Sequence, residues 1–148
     1  MKADLTLYEA AVELIERRWP DADWATAAAV YLDDGSIATG VTLDNFNSAA
    51  SLCAETGPLC QAYTTNRIVV ASICVNRARG RTTDLVLAPC GVCRERLALW
   101  GPEVEVGVVD SASGLGWTSR PLRELNPYYW ATAFSHSSAW PSPAEHAG

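Results

Sequence analysis

The nearly unbroken apolar stretch at residues 68–75, IVVASICV, limits the possible folds more than any other feature of the sequence. A run of this length without polar alternation is typical of a strand that is buried on both faces. Such strands occur in sheets whose two faces are covered by helices. The basic and polar residues 76–84 that follow predict a surface loop. We therefore expect an α/β fold built around this strand.

Periodic patterns on either side of this strand predict the other elements. A T-x-x-E capping box at Thr6 and apolar residues at helical spacing predict a helix over residues 6–19, which Pro20 ends. Asp34-Gly35 is a hairpin signal between two strands. Further helices are predicted over 51–65, 89–101 and 122–125, and further strands over 27–32, 36–43, 85–88 and 104–109. This order indicates an α/β sandwich with a mixed sheet of five strands.

Composition and charge narrow the class of partner. The chain has five cysteines and no apolar signal-peptide core in MKADLTLYEA, so we expect free thiols or metal ligands in a cytoplasmic protein. The net charge of −6 argues against nucleic-acid binding, which depends on Lys and Arg. No apolar run approaches the roughly 20 residues of a membrane-spanning helix. The expected partner is a small molecule or another copy of the chain.

Two cysteines three residues apart, Cys90 and Cys93, lie at the predicted start of the helix that Pro89 opens. This spacing places both sulfurs on one helix face, and the positive N-terminal end of a helix favours thiolates. Two converging thiolates are typical zinc ligands. Cys53, near another predicted helix start, is the third candidate. Three protein ligands leave one coordination position open, which is the pattern of a catalytic zinc site.

Glu55 adds a carboxylate to this predicted site. A carboxylate beside a catalytic zinc can carry the proton of an activated water. Residues i and i+2 point about 200° apart on a regular helix. Glu55 and Cys53 can therefore share a site only in the first helical turn, with Ser51 as the predicted cap. Zinc with three thiolates carries a net negative charge, and Arg94, directly after Cys93, is the predicted cation that offsets it.

The motifs C-A-E at residues 53–55 and P-C-G-V-C at 89–93 match the zinc-deaminase signature in its three-cysteine form. With them, the chain resembles the small homotetrameric cytidine deaminases and their relative blasticidin-S deaminase over residues 24–130. Weaker parts of the likeness are residues 28–41, 108–110 and 122–127. The resemblance implies a three-layer α/β/α sandwich. Residues 1–134 are then the catalytic domain, and the Ser-, Pro- and Ala-rich residues 135–148 are a tail.

The resemblance implies a cofactor, a reaction and an assembly. One Zn²⁺ per protomer would be held by Cys53, Cys90 and Cys93, with Glu55 as the proton shuttle. Water would replace the C4 amine of a cytidine-type nucleoside, and ammonia would leave. The backbone carbonyl of Ala88 would accept a hydrogen bond from the leaving amine. The assembly would be a homotetramer that binds neither nucleic acid nor a membrane.

The resemblance also implies substrate contacts. Trp24 lies where the family has an aromatic residue near the pyrimidine, and Ala54 of the C-A-E motif is a further predicted contact. Thr42 and Asp44 occupy the positions of a family N-x-E whose side chains hold the ribose hydroxyls, and both are shorter. The family often has arginine where this chain has Thr56. Three C-terminal aromatic residues are predicted either to close a neighbouring subunit's site or to form an interface patch: Tyr128, Tyr129 and Trp130.

Several functions stay open on the sequence alone. Deamination of a cytidine-type nucleoside is the leading hypothesis. Because Thr42 and Asp44 depart from the family pattern, the alternative is a deaminase of a nucleoside antibiotic such as blasticidin S, or of another aminated heterocycle. The acidic charge and the cysteine at position 53 disfavour a nucleic-acid-editing deaminase. A zinc-stabilised binding module is the non-enzymatic alternative, and Glu55 beside an open zinc position disfavours it.

Overall fold

The computed structural model describes residues 1–80, 82–135 and 139–141. The described strands are β1 (Trp24–Leu32), β2 (Ile37–Val41), β3 (Val69–Ala78), β4 (Leu85–Leu87), β5 (Glu105–Val109) and β6 (Trp117–Pro121). The described α-helices are α1 (Leu5–Arg18), α2 (Thr56–Thr64), α3 (Gly91–Leu97) and α4 (Leu122–Leu125). Short 3-10 helices occupy Ser48–Ala50, Ala98–Trp100 and Trp130–Phe134. All of the strands belong to one mixed sheet.

The central strand of this sheet is β3, as its apolar sequence predicts. It pairs antiparallel with β1, which in turn pairs with β2, and β6 completes the opposite edge beside β5. Two strands share the second edge of β3. Parallel β5 pairs with Ala71 and Ser72, whereas antiparallel β4 pairs with Cys74, Val75 and Asn76. The chain that leaves β4 therefore enters α3 near the middle of β3.

Helices cover both faces of the sheet. On one face, α1 packs Leu7, Ala11 and Ile15 against the small side chains of Ala27 and Ala29. On the other face, apolar side chains from α2, α3 and α4 meet those of the sheet: Leu59, Leu97, Leu122, Val30, Val69 and Val106. The predicted three-layer α/β/α sandwich is confirmed. No helix among the described residues is long and apolar enough to cross a membrane.

The structure corrects several details of the sequence prediction. The loop predicted at residues 76–84 is shorter, because β3 continues to Ala78 and Asn76 is buried. The described sheet has six strands instead of five, because β6, with the sequence WTSRP, carries only one buried side chain and has no apolar alternation. The cap of α1 is Asp4, whose carboxylate accepts from the N–H of Leu7 at 3.0 Å, and not Thr6. The second helix begins at Thr56 and not near Ser51, because the preceding chain is held extended by a bridge to Leu43.

Most of the predicted tail, residues 135–148, lies outside the described residues, which include only 135 and 139–141 of it. Within that part, the ring of Trp140 packs against Tyr129 with centroids 4.4 Å apart. The boundary between residues 134 and 135 stays a prediction.

Candidate metal centre

Three thiols converge at the N-terminal ends of α2 and α3. The sulfurs of Cys53 and Cys90 are 3.6 Å apart, and all three sulfurs, including that of Cys93, lie within 4.8 Å of one another. Tetrahedral zinc with Zn–S bonds of about 2.3 Å would hold its sulfur ligands about 3.8 Å apart. The spacing and the soft donor set therefore fit a single zinc ion.

The two cysteines on α3 are placed by the start of that helix. Cys90 is the residue that precedes the helix, and Cys93 lies in its first turn with no exposed surface. Burial alone opposes ionisation of Cys90. The backbone N–H groups of Cys93 and Val92 and the Cys53 thiol outweigh it, so the pKa of the Cys90 thiol is lowered. The helix start therefore favours the thiolate form of Cys90 over its protonated form.

Cys53 comes from an extended segment and not from a helix. The bridge between Leu43 and Leu52, with N–H to carbonyl distances of 3.0 and 2.9 Å, fixes the residue directly before it. The chain then turns through Ala54 and Glu55 into α2. Because this segment is not helical, the side chains of Cys53 and Glu55 are free of the 200° separation that a regular helix of about 3.6 residues per turn imposes.

A glycine on the sheet allows this turn to approach closely. A Cβ atom at Gly40 of β2 would lie 2.5 Å from Cδ of Pro58 and 2.7 Å from the carbonyl oxygen of Ala54. Gly40, Ala28 and Cys74 are cross-strand neighbours on β2, β1 and β3, so the row of the sheet beneath the turn has small side chains. This row sets how deeply Ala54 and the residue after it lie.

Glu55 is buried beside the thiols, with 4% of its surface exposed. Burial raises the pKa of its carboxyl, against the opposing effects of a hydrogen bond with Cys93 and the positive charge of Arg96. A raised pKa moves a carboxyl towards the range in which it can both hold and release a proton during catalysis. The structure therefore places Glu55 beside the thiols, and its catalytic role stays a prediction.

The cation near Glu55 is Arg96 and not Arg94. The Arg96 guanidinium donates to the hydroxyl of Thr56 at 2.7 Å. The Arg94 guanidinium instead donates to the carbonyl oxygen of Leu125 at 2.7 Å, and its buried Nε has no partner among the described residues. The role of Arg94 beside the thiolates stays a prediction, and the hydrogen bond that its side chain makes is to Leu125. Sequence reasoning could have found Arg96, because it follows Cys93 by three residues and so shares its face of the helix.

A pocket of about 280 Å³ opens beside the thiols and brings most of the predicted residues together. Thr42, Ala54 and Ala88, which the sequence predicts as substrate contacts, line this pocket. Ten residues form its walls: Thr26, Thr42, Leu52, Cys53, Ala54, Glu55, Cys74, Leu87, Ala88 and Cys90. Thr26 was not anticipated, although its place two residues after Trp24 on β1 puts it on the same face of that strand.

The remaining predicted contacts lie outside the pocket walls. Trp24 is 70% exposed, and Asp44 is exposed in the loop before Cys53. Among the C-terminal aromatic residues, Tyr128 is 94% exposed. Tyr129 and Trp130 both donate to the carboxylate of Glu95 on α3, each at 3.0 Å. Burial and this hydrogen bond raise the pKa of Tyr129 to about 12. The C-terminal segment is therefore attached to the helix that carries Cys93.

Comparison with known proteins places this geometry among cytidine deaminases. The crystal structure of the cytidine deaminase from Bacillus anthracis superposes with a TM-score of 0.81 at 40% identity, covering 90% of this chain and 94% of that chain. The cytidine deaminase from Mycobacterium leprae gives a TM-score of 0.63 at 28% identity, covering 82% and 95%. The described fold is thus cytidine deaminase-like.

Sequence comparison agrees over a shorter stretch. The curated cytidine deaminase of Mycobacterium tuberculosis is 35% identical over 79 residues, which is 53% of this chain and 56% of that protein. The cytidine deaminase of Halalkalibacterium halodurans is 32% identical over 79 residues, or 53% of this chain and 57% of that protein. The chain spans about half the length of the curated relatives it matches. No family model matches the chain.

Proposed function

Because the chain belongs to the cytidine deaminase family, we propose that it is a zinc-dependent hydrolase that removes the amine of a cytidine-type nucleoside. The observation that carries this proposal is the convergence of three thiols and one buried carboxyl on a single pocket. A binding module stabilised by zinc would need the thiols but not a buried Glu55 in the pocket wall. The carboxyl therefore favours catalysis over a purely structural site.

Each residue of the site has a distinct task in this proposal. Cys53, Cys90 and Cys93 would hold Zn²⁺. When bound, the ion supplies Lewis acidity that makes water nucleophilic at neutral pH. Glu55 takes a proton from the attacking water and returns it to the departing amine, which its burial and raised pKa support. The carbonyl oxygen of Ala88, which lines the pocket, accepts a hydrogen bond from that amine and orients it.

The first experiment measures zinc content and ammonia release together. We expect about one zinc per protomer, with ammonia released from cytidine. Glu55→Gln should keep the metal and lose turnover, because the amide cannot accept the proton. Cys90→Ser should lose metal. Cys60→Ser is the matched control, since Cys60 is exposed on α2 and does not line the pocket. Full turnover in Glu55→Gln would reject the proton-shuttle role.

A nucleoside antibiotic such as blasticidin S, or another aminated heterocycle, is the second candidate substrate. The specific observation that favours it is the shorter pair of polar side chains, Thr42 and Asp44, where the family usually carries N-x-E. Only Thr42 lines the pocket, and Asp44 is exposed. Ammonia release from cytidine, deoxycytidine, cytosine, blasticidin S and aminated purines or triazines distinguishes the two. Zinc binding without turnover on any of them would favour the binding module.

We further propose that the chain assembles as a homotetramer. Several large apolar side chains are exposed on the single protomer, and association of copies would bury them. They include Trp24, Phe46, Tyr128, Trp130 and Phe134. Light scattering on purified protein should give a mass of about four protomers. A monomer at micromolar concentration would reject this part of the proposal.

A further inference from the structure

A buried asparagine lies behind the pocket wall. Asn76 of β3 is 2% exposed and is the cross-strand partner of Thr26 on β1. Its Nδ2 donates to the carbonyl oxygen of Ala25 at 3.3 Å and to the hydroxyl oxygen of Thr26 at 2.8 Å. A backbone carbonyl can only accept, so the atom that faces it must be the amide nitrogen. The orientation of the Asn76 amide is therefore fixed, and both of its N–H bonds are used.

This orientation fixes the polarity of the Thr26 hydroxyl. Because its oxygen accepts from Asn76, the one O–H bond of the group is left to donate. Thr26 lines the pocket, and its backbone carbonyl already accepts from the N–H of Thr42 at 3.2 Å. The side-chain hydroxyl thus offers the pocket a hydrogen-bond donor held in place by a buried neighbour.

We propose that Thr26 is a specificity-determining residue that donates a hydrogen bond to an acceptor atom of the bound nucleoside, with Asn76 as the residue that orients it. This inference rests on the proposed function and deepens it. The acceptors that a cytidine-type nucleoside offers to such a donor are its ring carbonyl and its sugar hydroxyl oxygens. An aminated heterocycle with no acceptor at this place would leave the Thr26 hydroxyl unpaired and would bind more weakly.

The test compares Thr26→Val, which removes the hydroxyl without changing the shape, with Thr26→Ser, which keeps it. Loss of a neutral hydrogen bond should raise KM for cytidine in Thr26→Val by between about twofold and tenfold. Its kcat and zinc content should stay close to those of the wild type, whereas its melting temperature should fall because the buried Asn76 amide loses an acceptor. Thr26→Ser keeps this acceptor and should bind nearly as well as the wild type. Thr118→Val is the matched control, a substitution of the same kind on β6.

Two substitutions of Asn76 test the orientation itself. In Asn76→Asp the carboxylate would accept the Thr26 proton, so KM should rise as in Thr26→Val. In Asn76→Leu the hydroxyl stays free to donate, and KM should change less. If Asn76→Asp does not fold, the comparison of Thr26→Val with Thr26→Ser still tests the proposal. Repeating the assays with deoxycytidine locates the acceptor. If the KM increase in Thr26→Val vanishes with deoxycytidine, the acceptor is the sugar 2′-hydroxyl. If the KM increase is the same with both substrates, the acceptor lies elsewhere on the nucleoside.

The outcomes separate this inference from the proposed function. A wild-type protein without zinc or without ammonia release from cytidine would overturn both. An active wild type whose KM is unchanged in Thr26→Val would overturn this inference alone. Equal KM increases in Thr26→Val and Thr26→Ser would also overturn it, because the hydroxyl would then not matter.

Discussion

Substitution of Gly40 by alanine should damage the site through the sheet beneath it. The added Cβ would lie 2.5 Å from the Pro58 ring and 2.7 Å from the carbonyl oxygen of Ala54. Ordinary contact begins at 3.4 Å, so the first of these distances must grow by about 0.9 Å. Neither neighbour is the end of a flexible side chain. The turn that carries Cys53 and Glu55 must therefore move outward as a unit.

The size of the effect follows from this displacement. Overpacking of this kind costs about 1–3 kcal/mol of unfolding free energy. A misplacement of catalytic groups by about 1 Å can lower turnover roughly 100-fold. We therefore expect Gly40→Ala to lose stability in urea unfolding and to lower kcat/KM for cytidine by about two orders of magnitude.

Gly57→Ala is the matched control for this experiment. Gly57 lies one residue before Pro58 on α2, and a Cβ there would meet nothing within 4 Å. Alanine also favours the helix over glycine by up to about 1 kcal/mol. Gly57→Ala should therefore be as stable as the wild type or more so, with kcat/KM unchanged. If Gly40→Ala behaved like Gly57→Ala in both assays, the close approach at Gly40 would not be what places the turn.

Three further predictions concern charge, pH and metal. Arg96→Gln should weaken zinc retention against a chelator by about tenfold, because Thr56 loses its donor and Glu55, beside the thiols, loses a nearby positive charge. Zinc retention equal to that of the wild type would contradict this prediction. The pKa of Tyr129 is raised to about 12, so its contribution to the free energy of unfolding is present below about pH 10 and is lost as the pH rises towards 12. Tyr129→Phe should remove this loss of stability between about pH 10 and 12 in unfolding assays. An unchanged pH profile in the variant would show that Tyr129 does not cause the loss. Removal of zinc by a chelator should lower the melting temperature, and a Cys90→Ser protein should show no further decrease.

The features that could be predicted from the sequence are those that a short segment of the chain determines by itself. The apolar run of β3 indicated a central strand, and the two cysteine motifs indicated three thiols that the structure brings together. What it missed depends on distant segments. The start of α2 is delayed to Thr56 by a bridge between Leu43 and Leu52, which no local pattern signals. The polar strand β6 forms because β5 offers it an edge, and not because of its own sequence.

The choice between Arg94 and Arg96 shows the same limit within one helix. Adjacency in sequence favoured Arg94, but residues one apart on a helix point about 100° from each other. Three residues return nearly to the same face, which is why Arg96 and not Arg94 lies towards the site side of α3. The first residue of α3 had to be known before helical periodicity could indicate which of its side chains face the site.

The register between β1 and β3 determines what kind of pocket the metal ligands face. One cross-strand row holds Ala28 and Cys74, whose small side chains leave room for Ala54. The next row of the same face holds Thr26 and Asn76, which are polar and hydrogen-bonded. A slip of one residue in β1 would turn Ala28 and Thr26 away from the pocket and replace them with residues of β1 that now pack under α1. Two features of the sequence therefore specify the pocket: local motifs place the three thiols, and the strand register places the Thr26 wall.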